Sequence, residues 1–230
     1  MGKRETTNPT GAVMRLILLG PPGCGKGTQA HLLSARHQLE HVGTGDLLRD
    51  GIKKGTPLGL KAKSFVESGR LVPDDLVNDL IAERFRRPDR PQRFVMDGYP
   101  RTVTQALAFD GVLKEQALDL SAALLFQVSD EEIIRRLHGR WSCPNQGCKA
   151  TYHTETNPPK QPGICDLCGT PLVQRDDDRE ETVRRRLTVY HQNILALVPH
   201  YRARGLLREV PGQGGIEEIY TNIMRVLKTR

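Results

Sequence analysis

A glycine-rich segment that ends in a lysine is the part of this sequence best suited to chemistry. It reads Gly-Pro-Pro-Gly-Cys-Gly-Lys over residues 20–26. Its three glycines allow backbone angles at which several N–H groups point to one centre, and such a concavity binds phosphate. The spacing is typical of phosphate loops in which the lysine reaches the terminal phosphates of a nucleotide. The segment therefore predicts a polyphosphate site at Lys26; a plain turn between two elements is the alternative.

The residues beside Lys26 refine this prediction. Gly27 stands where such loops usually carry the Ser or Thr that binds Mg²⁺, and Thr28 follows one place later. Another residue must therefore hold the metal. Cys24 lies within the loop, where its neighbours could make it a reactive thiolate. A small filler side chain without a chemical role is the interpretation that we prefer for Cys24.

Four of the five cysteines lie in two pairs near the middle of the chain. The first pair is separated by four residues and the second by two, with 16 residues between the pairs. Two such knuckles suit tetrahedral Zn²⁺, and four thiolates leave no open coordination position for catalysis. Two disulfides are the alternative, which a reducing compartment disfavours. The sequence therefore predicts a structural zinc site formed by Cys143, Cys148, Cys165 and Cys168.

The composition is that of a globular protein. The 230 residues are 37% hydrophobic and 27% charged, and 34 basic residues against 27 acidic ones leave a net charge of +7. This surplus suits a partner that carries phosphate, without choosing between a nucleotide and a nucleic acid. No apolar run approaches the roughly 20 residues that cross a bilayer, and the N-terminal residues do not resemble a secretory signal. We therefore expect a cytoplasmic protein that does not bind membranes.

The elements that must position these residues follow an alternating pattern from Arg15 onward. Short apolar runs alternate with longer amphipathic stretches, which is typical of a parallel sheet covered by helices on both faces. Strands are predicted at residues 15–19, 40–42, 94–96, 122–128 and 206–210. Ser129 with Glu132 and Thr102 with Gln105 have the spacing of capping boxes, and Pro73 suits a first helical position. The phosphate loop thus has the strand before it and the helix after it that its function requires.

Five segments, in order along the chain, resemble the motifs of the adenylate kinase family. They are residues 20–29, Thr-Gly-Asp-Leu-Leu-Arg at 44–49, Gly-Arg-Leu-Val-Pro-Asp at 69–74, Asp-Gly-Tyr-Pro-Arg-Thr at 97–102 with Gln105, and the stretch 175–187. The resemblance spans residues 14 to about 227. It implies an α/β fold: a P-loop nucleoside monophosphate kinase core with a parallel sheet flanked by helices, a helical AMP-binding insertion and a zinc-ribbon-like lid.

The resemblance also implies how the chain is divided and what it does. Residues 1–13 are polar and show neither a helix nor a strand period, so a flexible tail is expected there. The resemblance implies a single domain at 14–230 with its core at 14–42, 73–140 and 174–230, the AMP-binding insertion at 43–72 and the zinc lid at 141–173. The implied reaction is MgATP + AMP ⇌ MgADP + ADP, so the partners are ATP, AMP and ADP. The implied cofactors are Mg²⁺, bound with ATP, and structural Zn²⁺.

Roles for individual residues follow from the same resemblance. Two facing polyphosphates gather negative charge in one cavity, so cations must converge on it from separate segments. The catalytic cations are expected to be Lys26, Arg101, Arg140, Arg175 and Arg186. ATP is expected to contact Gly23, Cys24, Gly25, Lys26, Gly27, Thr28, Arg136, Arg140, Tyr152 and Gly214. AMP is expected to contact Thr44, Arg49, Arg70, Leu71, Val72, Gly98, Arg101, Gln105, Arg175 and Arg186.

Asp97 and Asp46 are expected to hold Mg²⁺ through water, although Asp46 equally suits a carboxylate in the first turn of a helix. No general base is needed, because the AMP phosphate is already an anionic nucleophile near neutral pH. Closure of the two insertions would assemble the cationic cage only when both nucleotides are present.

Two other functions remain open at this point. A basic protein with zinc knuckles also suits nucleic-acid binding, but only 5% of the residues are aromatic and none alternate with basic residues in a stacking stripe. We therefore expect no nucleic-acid partner. A kinase for GMP, UMP or CMP is the nearer alternative, since Thr44 and Gln105 favour AMP through the resemblance only. No apolar stripe or heptad indicates an oligomer, so a monomer is expected.

Overall fold

The computed structural model describes residues 14–145, 147–148 and 150–228, so the predicted tail at 1–13 lies outside the described residues. Its strands are β1 (Arg15–Leu19), β2 (Glu40–Gly43), β3 (Phe94–Asp97), β4 (Ala122–Gln127), β5 (Arg140–Ser142), β6 (Thr151–His153) and β7 (Leu207–Pro211). Its helices are α1 (Lys26–His37), α2 (Thr44–Lys54), α3 (Pro57–Glu67), α4 (Asp74–Arg86), α5 (Val103–Glu115), α6 (Asp130–His138), α7 (Glu180–Ala203) and α8 (Ile216–Lys228). All five predicted strands are confirmed, with ends that differ by at most one residue.

Five parallel strands form the central sheet, in the order β2-β3-β1-β4-β7. The apolar residues of β1 and β4 are buried along their length, because helices cover both faces of a parallel sheet. Phe85, Phe94 and Phe109 pack edge to face in the core on one side. Leu33 and Ile223 lie in the core on the other side. The predicted α/β class with helices on a parallel sheet is confirmed.

The register of the sheet places the chemical groups at one edge. Asp97 at the end of β3 lies opposite Leu18 of β1 and Gly43 of β2. The loop after β1 and the first residue of α2 therefore emerge beside Asp97 and Gly98. This carboxyl edge is where open parallel sheets bind ligands.

The predicted capping boxes are half correct. The N–H of Gln105 donates to Thr102 Oγ1 at 3.1 Å and that of Glu132 to Ser129 Oγ at 3.4 Å. The return bonds are replaced, because the Gln105 amide oxygen accepts from the N–H of Arg101 and the Glu132 carboxylate pairs with arginines of its own helix. The prediction for Pro73 is wrong by one position: the residue precedes α4, which begins at Asp74.

Two segments interrupt the alternation of strand and helix. Residues 43–72 contain α2 and α3, which cross closely at two glycines: a Cβ on Gly59 would lie 2.1 Å from the carbonyl carbon of Gly51. Residues 141–173 contain most of an antiparallel hairpin, β5 with β6. Within the described part of the chain, no helix combines the length and apolarity that a membrane span requires.

Candidate active site and metal centre

A cavity of about 610 Å³ lies at the carboxyl edge of the sheet. Its lining contains almost every residue that the sequence singled out for nucleotide or magnesium binding. These are Gly23, Gly25, Lys26, Gly27, Thr28, Thr44, Asp46, Arg49, Arg70, Leu71, Val72, Asp97, Gly98, Arg101, Gln105, Arg136, Arg140, Tyr152, Arg175, Arg186 and Gly214. Residues up to 191 positions apart in sequence thus face one space.

The loop after β1 has the shape that the glycines predicted. Gly20, Gly23 and Gly25 all have positive φ, and a Cβ on Gly23 would lie 2.6 Å from Leu137 Cγ. Helix α1 begins at Lys26 without a side-chain cap, so its first N–H groups and the positive end of its dipole are open to an anion. Lys26 Nζ donates to the carbonyls of Gly20 at 2.8 Å and Pro21 at 2.7 Å. The ammonium therefore contacts the same loop that would bind a phosphate.

Cys24 is the one predicted nucleotide contact that is not part of the cavity lining. Its side chain is fully buried in the core, and burial raises the pKa of the thiol. A raised pKa opposes a reactive thiolate at neutral pH. The structure thus supports the filler role for this side chain, and a contact between ATP and the Cys24 backbone stays a prediction.

Asp97 closes the cavity beside the phosphate loop. Burial raises the pKa of its carboxyl, but the His41 imidazole and the positive charges of Lys26 and Arg101 outweigh burial and lower it overall. The group is therefore ionised at neutral pH. A Cβ on Gly27 would lie 3.3 Å from Asp97 Oδ2. Because glycine has no side chain, the Asp97 carboxylate has space next to the loop. An ionised, accessible carboxylate fits a magnesium ion held through water.

Asp46 lies in the first turn of α2 and also faces the cavity. Its Oδ1 accepts from Arg49 Nη2 at 2.7 Å. Both interpretations of Asp46 thus remain compatible with its position, since a carboxylate in a first turn can also line a ligand site.

Two buried aspartates hold the arginines of the cavity in place. Arg140 donates through Nε to Asp178 Oδ2 at 2.8 Å and pairs through Nη2 with Oδ1. Arg186 Nη1 lies 3.1 Å from Asp177 Oδ2 and 3.7 Å from Asp178 Oδ1. Arg49 Nη1 lies 3.7 Å from Asp177 Oδ2. Three guanidinium groups from three elements therefore converge on one pair of carboxylates.

The charges in this cluster shift one another's pKa values. Burial raises the pKa of the Asp177 carboxyl, but the surrounding arginines, Arg186 foremost, outweigh burial and lower it overall. Burial and neighbouring cations lower the pKa of Arg175 to about 10. Burial also lowers the pKa of Arg186 to about 10, although Asp177 opposes the change. All three groups stay ionised at neutral pH, so the cavity keeps its cationic wall.

Sequence reasoning missed the role of Asp177 and Asp178. Both belong to the run 176–178, which forms one turn of 3-10 helix before α7. Three consecutive aspartates between two arginines indicate a cluster of charges in the sequence. The burial of Asp177 and Asp178 could not be predicted from the sequence, because it depends on how this turn packs against Arg140 and Arg186.

The residues predicted to bind AMP all line the cavity. Thr44 Oγ1 donates to the carbonyl of Gly98 at 2.9 Å, and Arg101 Nε donates to the same carbonyl at 2.8 Å. Gly98 has φ 79°, and a Cβ there would lie 2.9 Å from Thr44 Oγ1, so only glycine fits. Gln105 is buried, with its amide between the N–H of Arg101 and Asp74 Oδ1. Gln105 thus lines the cavity, while its amide oxygen bonds to Arg101 in place of the return bond of a capping box.

The residues predicted to bind ATP, apart from Cys24, line the same cavity. Arg136 pairs with Glu132 at 2.6 Å and reaches the carbonyl of Cys24 at 3.4 Å. Gly214 has φ 101°, and a Cβ there would lie 2.1 Å from Glu218 Oε2. The lining also includes residues that the sequence did not single out for nucleotide binding: Glu132, His153, Thr156, Asn157, Tyr190 and Asn193. No sequence motif marks these polar residues, which belong to the lid and to helices α6 and α7.

The four lid cysteines form a single cluster. Their Sγ atoms all lie within 4.8 Å of one another, with Cys143 and Cys168 at 3.4 Å and Cys148 and Cys165 at 3.6 Å. A tetrahedral zinc with Zn–S bonds of about 2.3 Å requires S···S distances of about 3.8 Å. No disulfide joins these cysteines. The arrangement fits a four-thiolate metal and disfavours two separate disulfides.

Comparison with known proteins adds independent findings. Residues 18–206 match the sequence profile of the family described as adenylate kinase. The chain is 47% identical over 214 residues to the adenylate kinase of Moorella thermoacetica, covering 93% of this chain and 98% of the relative. It is 45% identical to the adenylate kinases of Lachnospira eligens, over 93% of this chain and 100% of the relative, and of Archaeoglobus fulgidus, over 94% and 98%.

Proposed function

The chain belongs to the adenylate kinase family and catalyses the reversible transfer of a phosphoryl group from MgATP to AMP, giving two ADP, and we propose how the residues of its cavity divide that work. The observation that carries the proposal is the convergence of Lys26 and the cavity arginines on one space, with two buried carboxylates holding the arginines in place.

The proposed catalytic groups act by position and charge. Lys26, Arg101, Arg140, Arg175 and Arg186 surround the phosphoryl group as it passes between the two nucleotides. Fixed cations stabilise the spreading negative charge of such a transition state without the cost of reorganising solvent. AMP supplies an anionic oxygen, so these residues need only align it with the terminal phosphate of ATP.

Two sets of residues are proposed to bind different nucleotides. The residues proposed for ATP are Gly23, Cys24 through its backbone, Gly25, Lys26, Gly27, Thr28, Arg136, Arg140, Tyr152 and Gly214. The residues proposed for AMP are Thr44, Arg49, Arg70, Leu71, Val72, Gly98, Arg101, Gln105, Arg175 and Arg186. Asp97 and Asp46 would hold the magnesium ion of MgATP through water, where the ion supplies further positive charge to the phosphates.

The remaining proposals concern the two insertions, the oligomeric state and the location of the protein. Residues 43–72 are proposed to close over AMP, and residues 141–173 over ATP. Zinc is proposed to bind to the four lid cysteines. The lid has few apolar groups, and its buried cluster consists of Cys143, Tyr152, Cys165 and Leu172, so a metal would supply the stability that a core of its own could not. The protein is proposed to act as a monomer in the cytoplasm.

Substitution of one cavity cation tests the assignment. Arg101→Ala should lower kcat by a factor of about 10²–10³ while the melting temperature stays close to the parent value, because it removes a cation that stabilises the charge of the transition state. Arg184→Ala is the matched control, since Arg184 is largely exposed and pairs with Glu180 on its own helix. Coupled measurement of ADP formation with AMP, GMP, UMP and CMP would also give the base preference.

A near-normal rate for Arg101→Ala would remove this arginine from the mechanism. An equal fall in kcat for Arg184→Ala would show that loss of any arginine lowers activity. The assignment of specific catalytic arginines in the cavity would then lose its support.

A further inference from the structure

Tyr152 lies between the metal cluster and the nucleotide cavity. It is the middle residue of β6, and its side chain packs with Cys143, Cys165 and Leu172 in the small core of the lid. It is only 6% exposed, yet it also forms part of the cavity lining. One residue thus belongs to both sites.

The hydroxyl of Tyr152 has two partners at the metal cluster. Its oxygen accepts from the N–H of Asp166 at 2.8 Å and lies 3.5 Å from Cys165 Sγ. A metal-bound cysteine is a thiolate and can only accept. Because the tyrosine oxygen already accepts from Asp166, its own proton is directed to the sulfur. The contact is therefore an O–H···S hydrogen bond to a proposed metal ligand.

The strand that carries Tyr152 also connects to the catalytic arginines. In the hairpin, Tyr152 pairs with Trp141, and the next pair joins His153 to Arg140. Arg140 in turn is bound to the buried Asp178. A shift of the Tyr152 ring relative to the cysteines would therefore move the strand pair that places Arg140 at the cavity.

We propose that Tyr152 is a positioning residue whose hydroxyl couples the metal centre of the lid to the ATP side of the cavity. The proposal rests on the proposed structural metal. Hydrogen bonds to metal ligands orient them and tune the metal, so the electronic state of the centre should respond to nucleotide through this contact. The coupling is reciprocal, since a ligand that changes the metal centre must itself be affected by it.

The test uses the full chain with cobalt in place of zinc, because cobalt bound by four thiolates has visible absorption bands that report its ligand field. Addition of MgATP to the parent protein should shift these bands, whereas AMP alone should not. In Tyr152→Phe the bands should differ from those of the parent, and the shift on MgATP should be lost.

Two further measurements separate coupling from mere stability. Tyr152→Phe should release zinc to a chromogenic chelator about tenfold faster, and should raise the Kd for ATP about fivefold with the Kd for AMP unchanged. Tyr190→Phe is the matched control, because Tyr190 also lines the cavity but belongs to α7, outside the lid. It should change neither the cobalt bands nor the release of zinc.

The outcomes distinguish this proposal from the proposed metal site. Failure of the parent protein to bind cobalt or zinc would overturn the metal centre and the coupling with it. Metal binding with bands that do not respond to MgATP would overturn the coupling alone, even if Tyr152→Phe could not be purified. Equal loss of AMP and ATP affinity in Tyr152→Phe would also overturn it, since the damage would then extend beyond the lid.

Discussion

Replacement of Asp178 by Asn removes one charge from the buried ion cluster of Asp177, Asp178, Arg140 and Arg186. The Asp178 side chain is 0% exposed, accepts two hydrogen bonds from Arg140 and lies 3.7 Å from Arg186. Asn has the same shape but no charge. Arg140 and Arg186 would then share Asp177 as their remaining carboxylate in this pair.

The expected loss of stability follows from this geometry. Breaking a buried ion pair by removing one partner costs about 3–5 kcal/mol, because the other charge stays buried and unpaired. Asn keeps one acceptor oxygen for Arg140, so the lower end, about 3 kcal/mol, is expected. In a chain of this size each kcal/mol lowers Tm by about 2–4 °C, so Tm should fall by about 6–12 °C.

Calorimetry of the nucleotide-free protein at neutral pH measures this change. Asp176→Asn is the matched control in the same turn, because the Asp176 side chain is 79% exposed and pairs with an equally exposed Arg179. Its effect should stay within about 0.5 kcal/mol. A melting temperature for Asp178→Asn within about 2 °C of the parent, or an equal fall for both variants, would refute the view that the buried pair holds the arginines.

Two further predictions concern the effect of low pH and the effect of removing the metal. Because the pKa of Asp177 is lowered in the folded state from the ordinary 3.8, its contribution to stability is fully present above about pH 4 and is lost as the pH falls through the lower folded pKa. The difference in unfolding free energy between the parent and Asp177→Asn should therefore be constant near neutral pH and shrink in acid; a difference that grew below pH 4 would contradict the cause given for the shift. Removal of zinc by a chelator should let the lid unfold before the core, seen as early loss of hydrogen-exchange protection at 141–173; an unchanged exchange pattern after complete metal removal would contradict a structural metal.

The parts of the site that sequence could predict are those encoded locally. The phosphate loop needs a strand, glycines at fixed places and a lysine, and all of these are consecutive from Arg15 to Lys26. The cysteine knuckles are equally local. Arg184 and Arg185, which the sequence did not select, do pair with Glu180 and Glu181 on the exposed face of α7.

The parts that sequence could not predict depend on tertiary packing. Asp176 and Asp178 are chemically identical and two positions apart, yet one faces solvent and the other has no exposed side-chain surface. No local rule separates them, since the difference arises from where Arg140 and Arg186 lie. The family resemblance identified the arginines that line the cavity but not the carboxylates that hold them.

These carboxylates resolve a conflict in the design of the cavity. Arginines close enough to stabilise a phosphoryl group in transit repel one another when no nucleotide is bound, and the lowered pKa values of Arg175 and Arg186 reflect that cost together with burial. Asp177 and Asp178 neutralise part of this repulsion, so the guanidinium groups can stay in place before substrate arrives. Paired guanidinium groups attract phosphate less strongly than unpaired cations would. They need little reorganisation when charge moves, however, and preorganisation of this kind contributes most to electrostatic catalysis. The same buried charges that make the empty protein sensitive to Asp178→Asn thus keep the cavity ready for transfer.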